Sequence, residues 1–175
     1  MAVHDQWLRA SQQRLAFSKT LWQDVSLNYG DVTHAHYWRQ RPQRMAYQYA
    51  IVDHLLSAAK NLAQAILKQL ASTRFDDVLQ LSWAEIEVLL LNQKILSAEA
   101  QQLLMLVQEG DWMHLIQLQQ QTDFSVITKP QDSSGQLISA RAEDDLTNPD
   151  HWPVARWIEN MQNLQASVRD SMGEW

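Results

Sequence analysis

The sequence predicts an all-α protein, a single-domain helical bundle of five to six helices with a long central helix. Apolar residues recur at spacings of three and four along most of the 175-residue chain, which is typical of helices with one buried face. Four Gly and four Pro are too few for the many tight turns of a β-sandwich or barrel. A hydrophobic share of 46% supplies enough apolar surface for one core over residues 1–175.

The first predicted helix runs from Gln6 to about Leu27. Its apolar residues Leu8, Leu15 and Trp22 recur every seven positions, which places them on one helix face. Asn28, Tyr29 and Gly30 then end the pattern.

The second predicted helix, Pro42 to Ala71, has the strongest pattern in the chain and would be about 45 Å long. Proline suits the first turn of a helix because its fixed φ is already helical. Ala59 and Ala63 are small enough to let another helix approach closely. We expect this helix to be central, with the C-terminal helix beside it, although its long heptad pattern also suits a homodimer interface. Its apolar stripe comprises Met45, Tyr49, Val52, Leu56, Ala59, Ala63, Ile66 and Leu70.

Three shorter helices are predicted from their end signals. After a short connection at residues 75–81, Ser82 and Glu85 fit a capping box, in which each side chain binds the other residue's backbone N–H. This box opens a helix from Trp83 to about Ile95. Ser97 caps the next helix, which Gly110 ends, and Asp111 caps a helix over residues 112–120.

Residues 122–148 change in character and are predicted to be a loop-rich insertion before the last helix. They include the turn-forming segment Lys129 to Gly135. Its apolar flanks leave a small β-hairpin as an alternative. The last helix starts after Asn148-Pro149, or one turn later at Asp150 before Pro153. Its apolar stripe comprises Trp157, Met161, Leu164, Val168 and Trp175.

Composition and charge exclude several classes of protein. The absence of Cys excludes disulfides, thiolate metal sites and cysteine nucleophiles. No apolar run approaches the length of a membrane span, and the first thirty residues lack the pattern of a secretory signal. We therefore expect a cytoplasmic protein without membrane insertion. The net charge of −6 disfavours general nucleic-acid binding but allows a local basic site.

The candidate binding site is a basic and aromatic segment at residues 34–44. Guanidinium groups interleaved with aromatic rings can hold phosphates, carboxylates or stacked bases. In this hypothesis Trp38 is an apolar anchor and the arginines contact anions. The alternative is structural, with Tyr37 and Trp38 closing one end of the bundle while the arginines are solvated. The predicted binding residues are Tyr37, Trp38, Arg39, Arg41 and Arg44.

The histidines do not predict a metal site. His34 and His36 lie near Asp31, and Asp111 lies three residues before His114. A transition-metal site needs three or four converging ligands, and neither group supplies them. The sequence also lacks the repeated Glu-x-x-His pattern of di-iron bundles.

No catalytic residue is predicted either. His54 follows Asp53 and is a possible general base, but no paired nucleophile is evident, so a hydrogen-bonded surface histidine is the simpler interpretation. No phosphate-binding loop, Rossmann fingerprint or serine-hydrolase elbow occurs. We therefore expect neither enzymatic activity nor a cofactor.

Three sequence segments carry a family resemblance. They are Leu106 to Leu115, where a helix break is followed by Trp112, then Leu137 to Ala140, and the end of the last helix at Met172 to Trp175. Together with the two long N-terminal helices, they resemble a family of short uncharacterised gammaproteobacterial proteins that share a domain of unknown function. The resemblance implies a bacterial, cytoplasmic, all-helical protein, and it supplies no catalytic residues.

These observations predict a non-enzymatic adaptor or regulator that binds another protein, or a second copy of the chain, through Trp38 to Arg44. The alternative function is nucleic-acid or phosphate-ligand binding through residues 34–44. The sequence gives least support to an enzyme that uses His34, His36 or His54. Eight Trp residues are unusual, and an exposed one would indicate a protein-binding surface.

Overall fold

The computed structural model describes residues 3–29, 39–70, 78–92, 97–108, 110–122 and 151–173. Over these residues the chain forms six α-helices and one short 3-10 turn, without any strand. This confirms the predicted all-α fold. The helices are α1 (Val3–Tyr29), α2 (Arg41–Leu70), α3 (Trp83–Leu91), α4 (Ala98–Gln108), α5 (Asp111–Thr122) and α6 (Val154–Gly173), and the 3-10 turn is Val78–Gln80.

Helices α1 and α2 form an antiparallel pair with the most extensive interface of the fold. The Ser11 hydroxyl on α1 donates to the Ala58 carbonyl on α2 at 2.7 Å. The Ser18 hydroxyl donates to the Ile51 carbonyl at 3.4 Å. Residue numbers rise along α1 from one contact to the next while they fall along α2, so the two helices run in opposite directions. Small hydroxyl side chains at these positions let the helices approach closely without leaving a buried donor unpaired.

Helix α6 packs against both members of this pair. Near its start, the ring of Trp152 meets Tyr49 of α2 edge to face, with 5.3 Å between ring centroids. Thirteen residues later in the chain, the Gln165 amide donates to the Ser11 hydroxyl at 2.7 Å. Ser11 also contacts Ala58, so the segment from Trp152 to Gln165 follows α2 in the same direction, from Tyr49 to Ala58. Helix α6 is therefore parallel to α2 and antiparallel to α1. The contact between α2 and α6 confirms the prediction that the C-terminal helix lies beside the central helix.

Helix α2 is the central member of the bundle, as predicted, and contacts all five other helices. Its ends lie within one residue of the predicted boundaries. The predicted stripe covers only one of its buried faces, because Ile51, Leu55 and Leu62 on other faces are also fully buried. Tyr49 was expected in the stripe but is partly exposed. A helix with neighbours on several sides buries more of its circumference than one apolar stripe indicates.

The end signals of the shorter helices are confirmed in part. Ser82 and Glu85 form both bonds of the capping box. The Ser97 hydroxyl accepts from the Ala100 N–H at 3.2 Å. Helix α3 ends at Leu91, before the predicted boundary. Helix α5 begins at Asp111 itself rather than after it, and the Met113 N–H donates to the Gly110 carbonyl at 3.2 Å. Gly110 therefore occupies the position predicted for Asp111.

The last helix uses the later of its two predicted start signals. It begins at Val154, where the Pro153 carbonyl accepts from the Trp157 N–H at 3.1 Å. Residues 123–150, with most of the predicted insertion and its hairpin alternative, lie outside the described residues. Among the helices that are described, none is long and apolar enough to span a membrane.

Candidate functional site

The structure separates the residues of the predicted basic segment. Arg39 and Arg41 are exposed at the start of α2, whereas Arg44 is only 2% exposed. Tyr37 and Trp38 lie outside the described residues, as do His34 and His36. Arg39 and Arg41 are thus accessible to an anionic ligand, and Arg44 is enclosed by the fold. The binding hypothesis for this segment stays a prediction.

The burial of Arg44 has a signal in the sequence. Positions 44, 48, 51 and 55 follow the helical spacing of one face, and the two later positions are Ile51 and Leu55. Gln48 is buried on the same face. Continuing the Ile51 and Leu55 face back by one and two turns would have predicted that Arg44 points into the protein.

His54 on α2 contacts two side chains of α1. The Arg14 guanidinium on α1 donates to its Nδ1 at 3.3 Å. The ring of Phe17 lies 5.4 Å from the imidazole, measured between centroids. Partial burial and the positive charge of Arg14 lower the pKa of His54, and Asp53 opposes them. The arrangement favours a neutral imidazole that accepts a hydrogen bond, in agreement with the simpler interpretation of the sequence.

Among the residues whose positions are described, no three His, Asp or Glu residues come together as a metal site would require. His114 is half-buried on α5, but the side chain of Asp111 lies outside the description.

Most of the tryptophans that the structure describes lie in the core. Trp112 and Trp157 are almost completely buried, and Trp83 is nearly so. Their indole N–H groups have no hydrogen-bond acceptor in the described structure. Trp7 and Trp22 are half-buried. No exposed Trp therefore marks an interaction surface within the described ranges, and Trp38 and Trp175 lie outside them.

A cleft of about 490 Å³ lies between α1 and α6 and is open to solvent. Two alanines, Ala16 and Ala166, lie in its wall and are too short to fill the space. Sequence reasoning missed this site, because residues that are far apart in the chain form it. It is lined by Gln12, Leu15, Ala16, Lys19, Gln162, Asn163, Gln165, Ala166 and Arg169.

The wall of this cleft is mostly apolar in area, and it also carries hydrogen-bonding groups and two positive charges. Four of its nine residues carry carboxamides, each of which has both donors and an acceptor. Lys19 and Arg169 supply two cations. The lining contains no carboxylate, imidazole, hydroxyl or aromatic ring. Such a surface can bind a ligand, but it lacks the paired acid and base that proton-transfer catalysis requires.

The two cations of the cleft lie near its opposite ends. Gln165 lies opposite Ser11 on the antiparallel helices, so the helical rise places the Cα atoms of Lys19 and Arg169 about 18 Å apart along the helix axes.

The floor of the cleft is fixed by buried contacts. Gln165 is 6% exposed, and its amide nitrogen is held by the Ser11 hydroxyl. Leu15, which is 3% exposed, supplies an apolar part of the floor. A site whose floor is locked by packing and hydrogen bonds keeps its shape when a ligand binds.

No family model matches the chain, and neither a curated protein nor a solved structure matches it. The fold defines the class of protein as an all-α helical bundle, with a cleft between α1 and α6 that carries two cations. The resemblance to a gammaproteobacterial family stays a prediction.

Proposed function

We propose that this protein is a non-enzymatic adaptor or regulator that binds another protein through the cleft between α1 and α6. The observation that carries the proposal is the composition of the cleft, where four carboxamides and two cations meet without a catalytic acid, base or hydroxyl nucleophile. Carboxamides bind peptide groups through matched donors and acceptors, and cations select acidic partners. The family resemblance supports a bacterial, cytoplasmic setting for this role.

The proposal moves the predicted binding site from the basic segment to the cleft. Arg39 and Arg41 remain exposed and can contribute a second contact. Arg44 cannot contribute without a rearrangement, because it is buried. The competing predictions differ in which pair of cations a partner needs.

Site-specific photo-crosslinking tests the proposal. The photoreactive residue p-benzoylphenylalanine replaces Ala16, which is exposed in the cleft, or Ala155, which is exposed on α6 outside it. We expect a discrete protein adduct from position 16 and none from position 155 in cells that express the protein. Identical adducts from both positions, or no adduct from position 16, would contradict the proposal.

Two charge-matched double variants identify the cations that matter. Lys19→Glu with Arg169→Glu reverses both positive charges of the cleft. Arg39→Glu with Arg41→Glu makes the same change in charge at the start of α2. We expect the adduct from position 16 to disappear only in the first pair. Loss only in the second pair would return the site to the basic segment, and adducts with nucleic acid instead of protein would favour the alternative function.

A further inference from the structure

We infer that the cleft between α1 and α6 takes an extended acidic segment of the partner protein, whose carboxylate side chains contact Lys19 and Arg169. This inference rests on the proposed function and specifies the partner's chemistry. It depends on the charges of the cleft and on its carboxamides.

Charge complementarity favours an acidic occupant. The chain as a whole carries a net charge of −6 and repels acidic partners, so an acidic segment needs a local basic site. Lys19 and Arg169 supply that site. Arg169 contacts the Asp170 carboxylate at 3.5 Å, but both side chains are mostly exposed, at 64% and 73%. Exposed ion pairs of this kind contribute little, so a partner's carboxylate can replace Asp170.

The carboxamides between the cations favour a polypeptide over another anion. Gln12, Gln162 and Asn163 each present donors and an acceptor, which match the alternating N–H and C=O groups of a peptide backbone. An inorganic anion offers acceptors only in one compact group. Single-stranded nucleic acid binds most proteins through stacked bases as well as phosphates, and the cleft has no aromatic ring for stacking.

Fluorescence anisotropy with a defined peptide tests the inference. The probe is a fluorescein-labelled decapeptide of Gly, Ser, Ala and Gln that carries two Glu residues in a Glu-x-x-Glu arrangement. The matched control has Gln in place of both Glu residues. We expect at least tenfold tighter binding of the acidic peptide at about 50 mM salt, with affinity falling as salt rises. Equal binding of the two peptides would overturn the inference.

Variants place the peptide in the cleft. Lys19→Glu with Arg169→Glu should weaken binding at least tenfold, whereas Arg39→Glu with Arg41→Glu should change it less than twofold. Gln12→Ala with Gln162→Ala should weaken binding severalfold while both charges stay in place. Far-UV circular dichroism and thermal melting verify that each variant folds. Loss only in the Arg39 and Arg41 pair, or no loss in any variant, would contradict the inference.

Two further probes separate other anions from the peptide. Inorganic phosphate and a ten-nucleotide oligothymidylate are titrated as competitors. The reference is the concentration of unlabelled acidic peptide that displaces half of the labelled peptide. We expect that neither competitor displaces the labelled peptide at that concentration. Displacement by the oligonucleotide at lower concentration would overturn the inference in favour of nucleic acid.

The failure of this inference differs from failure of the proposed function. If position 16 crosslinks a partner but the acidic peptide neither binds nor competes with that partner, the chemistry assigned to the partner is wrong and the adaptor role stands. If position 16 crosslinks no protein, the adaptor role itself fails.

Discussion

The side chains of Ser11 and Gln165 are 154 positions apart in the chain, yet the Gln165 Nε2 donates to the Ser11 Oγ over 2.7 Å. The same Ser11 hydroxyl donates to the Ala58 carbonyl. One buried hydroxyl therefore joins α1, α2 and α6 beneath the candidate cleft. Because both side chains are buried, loss of either partner leaves a polar group unpaired in the interior.

The first prediction concerns this three-helix contact. Ser11→Ala should lower the free energy of unfolding by about 1–3 kcal/mol, because it leaves the buried Gln165 amide without its acceptor. Urea denaturation measures the change. Combining Ser11→Ala with Gln165→Leu should recover part of the loss, since the unpaired amide is then removed as well.

The matched control for this prediction is Ser26→Ala. Ser26 also donates to a carbonyl, that of Trp22 at 2.8 Å, but it is exposed and stays within α1. We expect a change within about 0.5 kcal/mol, as for most surface substitutions. Equal losses at Ser11 and Ser26 would show that the contact between helices contributes nothing beyond a local hydrogen bond.

The second prediction concerns the pKa of His54. Burial and the nearby Arg14 guanidinium place this pKa below its ordinary value of 6.5. An NMR titration of the imidazole should show the depressed value. Arg14→Gln should raise the pKa, and Asp53→Asn should lower it further because Asp53 favours the protonated form. An unchanged pKa in Arg14→Gln would contradict the assigned contact.

The depressed pKa also predicts a pH dependence of stability. The unfolded chain binds a proton at His54 more readily than the folded protein does. The contribution of His54 is therefore fully present above pH 6.5 and is lost as the pH falls through the folded pKa. The wild-type protein should lose stability over this window, and His54→Gln should lose less when measured by urea denaturation at each pH.

The third prediction concerns the capping box of α3. The Ser82 hydroxyl accepts from the Glu85 N–H at 3.3 Å, and the Glu85 carboxylate accepts from the Ser82 N–H at 2.8 Å. Ser82→Ala should lower the free energy of unfolding by about 1 kcal/mol, as the loss of an N-cap does. Ser82→Asp should restore most of that stability by supplying another capping oxygen, and failure to do so would contradict the capping role.

The capping box also makes the stability of α3 dependent on pH. Hydrogen bonds from the Ser82 hydroxyl, and then from its backbone N–H, lower the pKa of Glu85 below 4.5. The stabilisation is therefore complete above pH 4.5 and is lost as the pH falls through the folded pKa. The stability difference between the wild-type protein and Glu85→Gln should shrink between neutral and acidic pH. A difference that is constant with pH would contradict this mechanism.

The fourth prediction concerns the tight turn between α4 and α5. A Cβ atom at Gly110 would lie 2.9 Å from the Leu106 Cα and 3.1 Å from the Leu106 carbonyl oxygen. Backbone atoms cannot move aside as a flexible side chain can, so Gly110→Ala should lower the free energy of unfolding by about 1–3 kcal/mol. Gln108→Ala, an exposed change two residues earlier, is the control. Equal melting temperatures for the two variants would contradict the steric argument.

Much of the fold could be predicted from local patterns. Pro42 and the apolar spacing that follows it predicted both ends of α2 to within one residue. Ser82 and Glu85 predicted the start of α3, because a capping box requires only residues within one turn. The choice between the two starts of α6 remained open, since both have a proline near a capping residue. The structure selects the later start, at Val154.

The candidate site, unlike the helices, could not be predicted from local patterns. Arg39, Arg41 and Arg44 are close in sequence and were grouped as one basic segment. The helix then turns Arg44 into the protein while Arg39 and Arg41 stay exposed. Proximity along a chain does not determine which residues share a surface, because each helical residue points about 100° away from the one before it.

The amino-acid order alone determines the approximate positions of the helices of this protein, since helix periodicity, caps and breakers act over a few neighbouring residues. The position of α2 among its neighbours, the pairing of Ser11 with Gln165 and the cleft between α1 and α6 depend on residues far apart in the chain. Only packing brings them together, because close-packed helices meet along faces whose register depends on all the surrounding side chains. The candidate site is a property of that tertiary register.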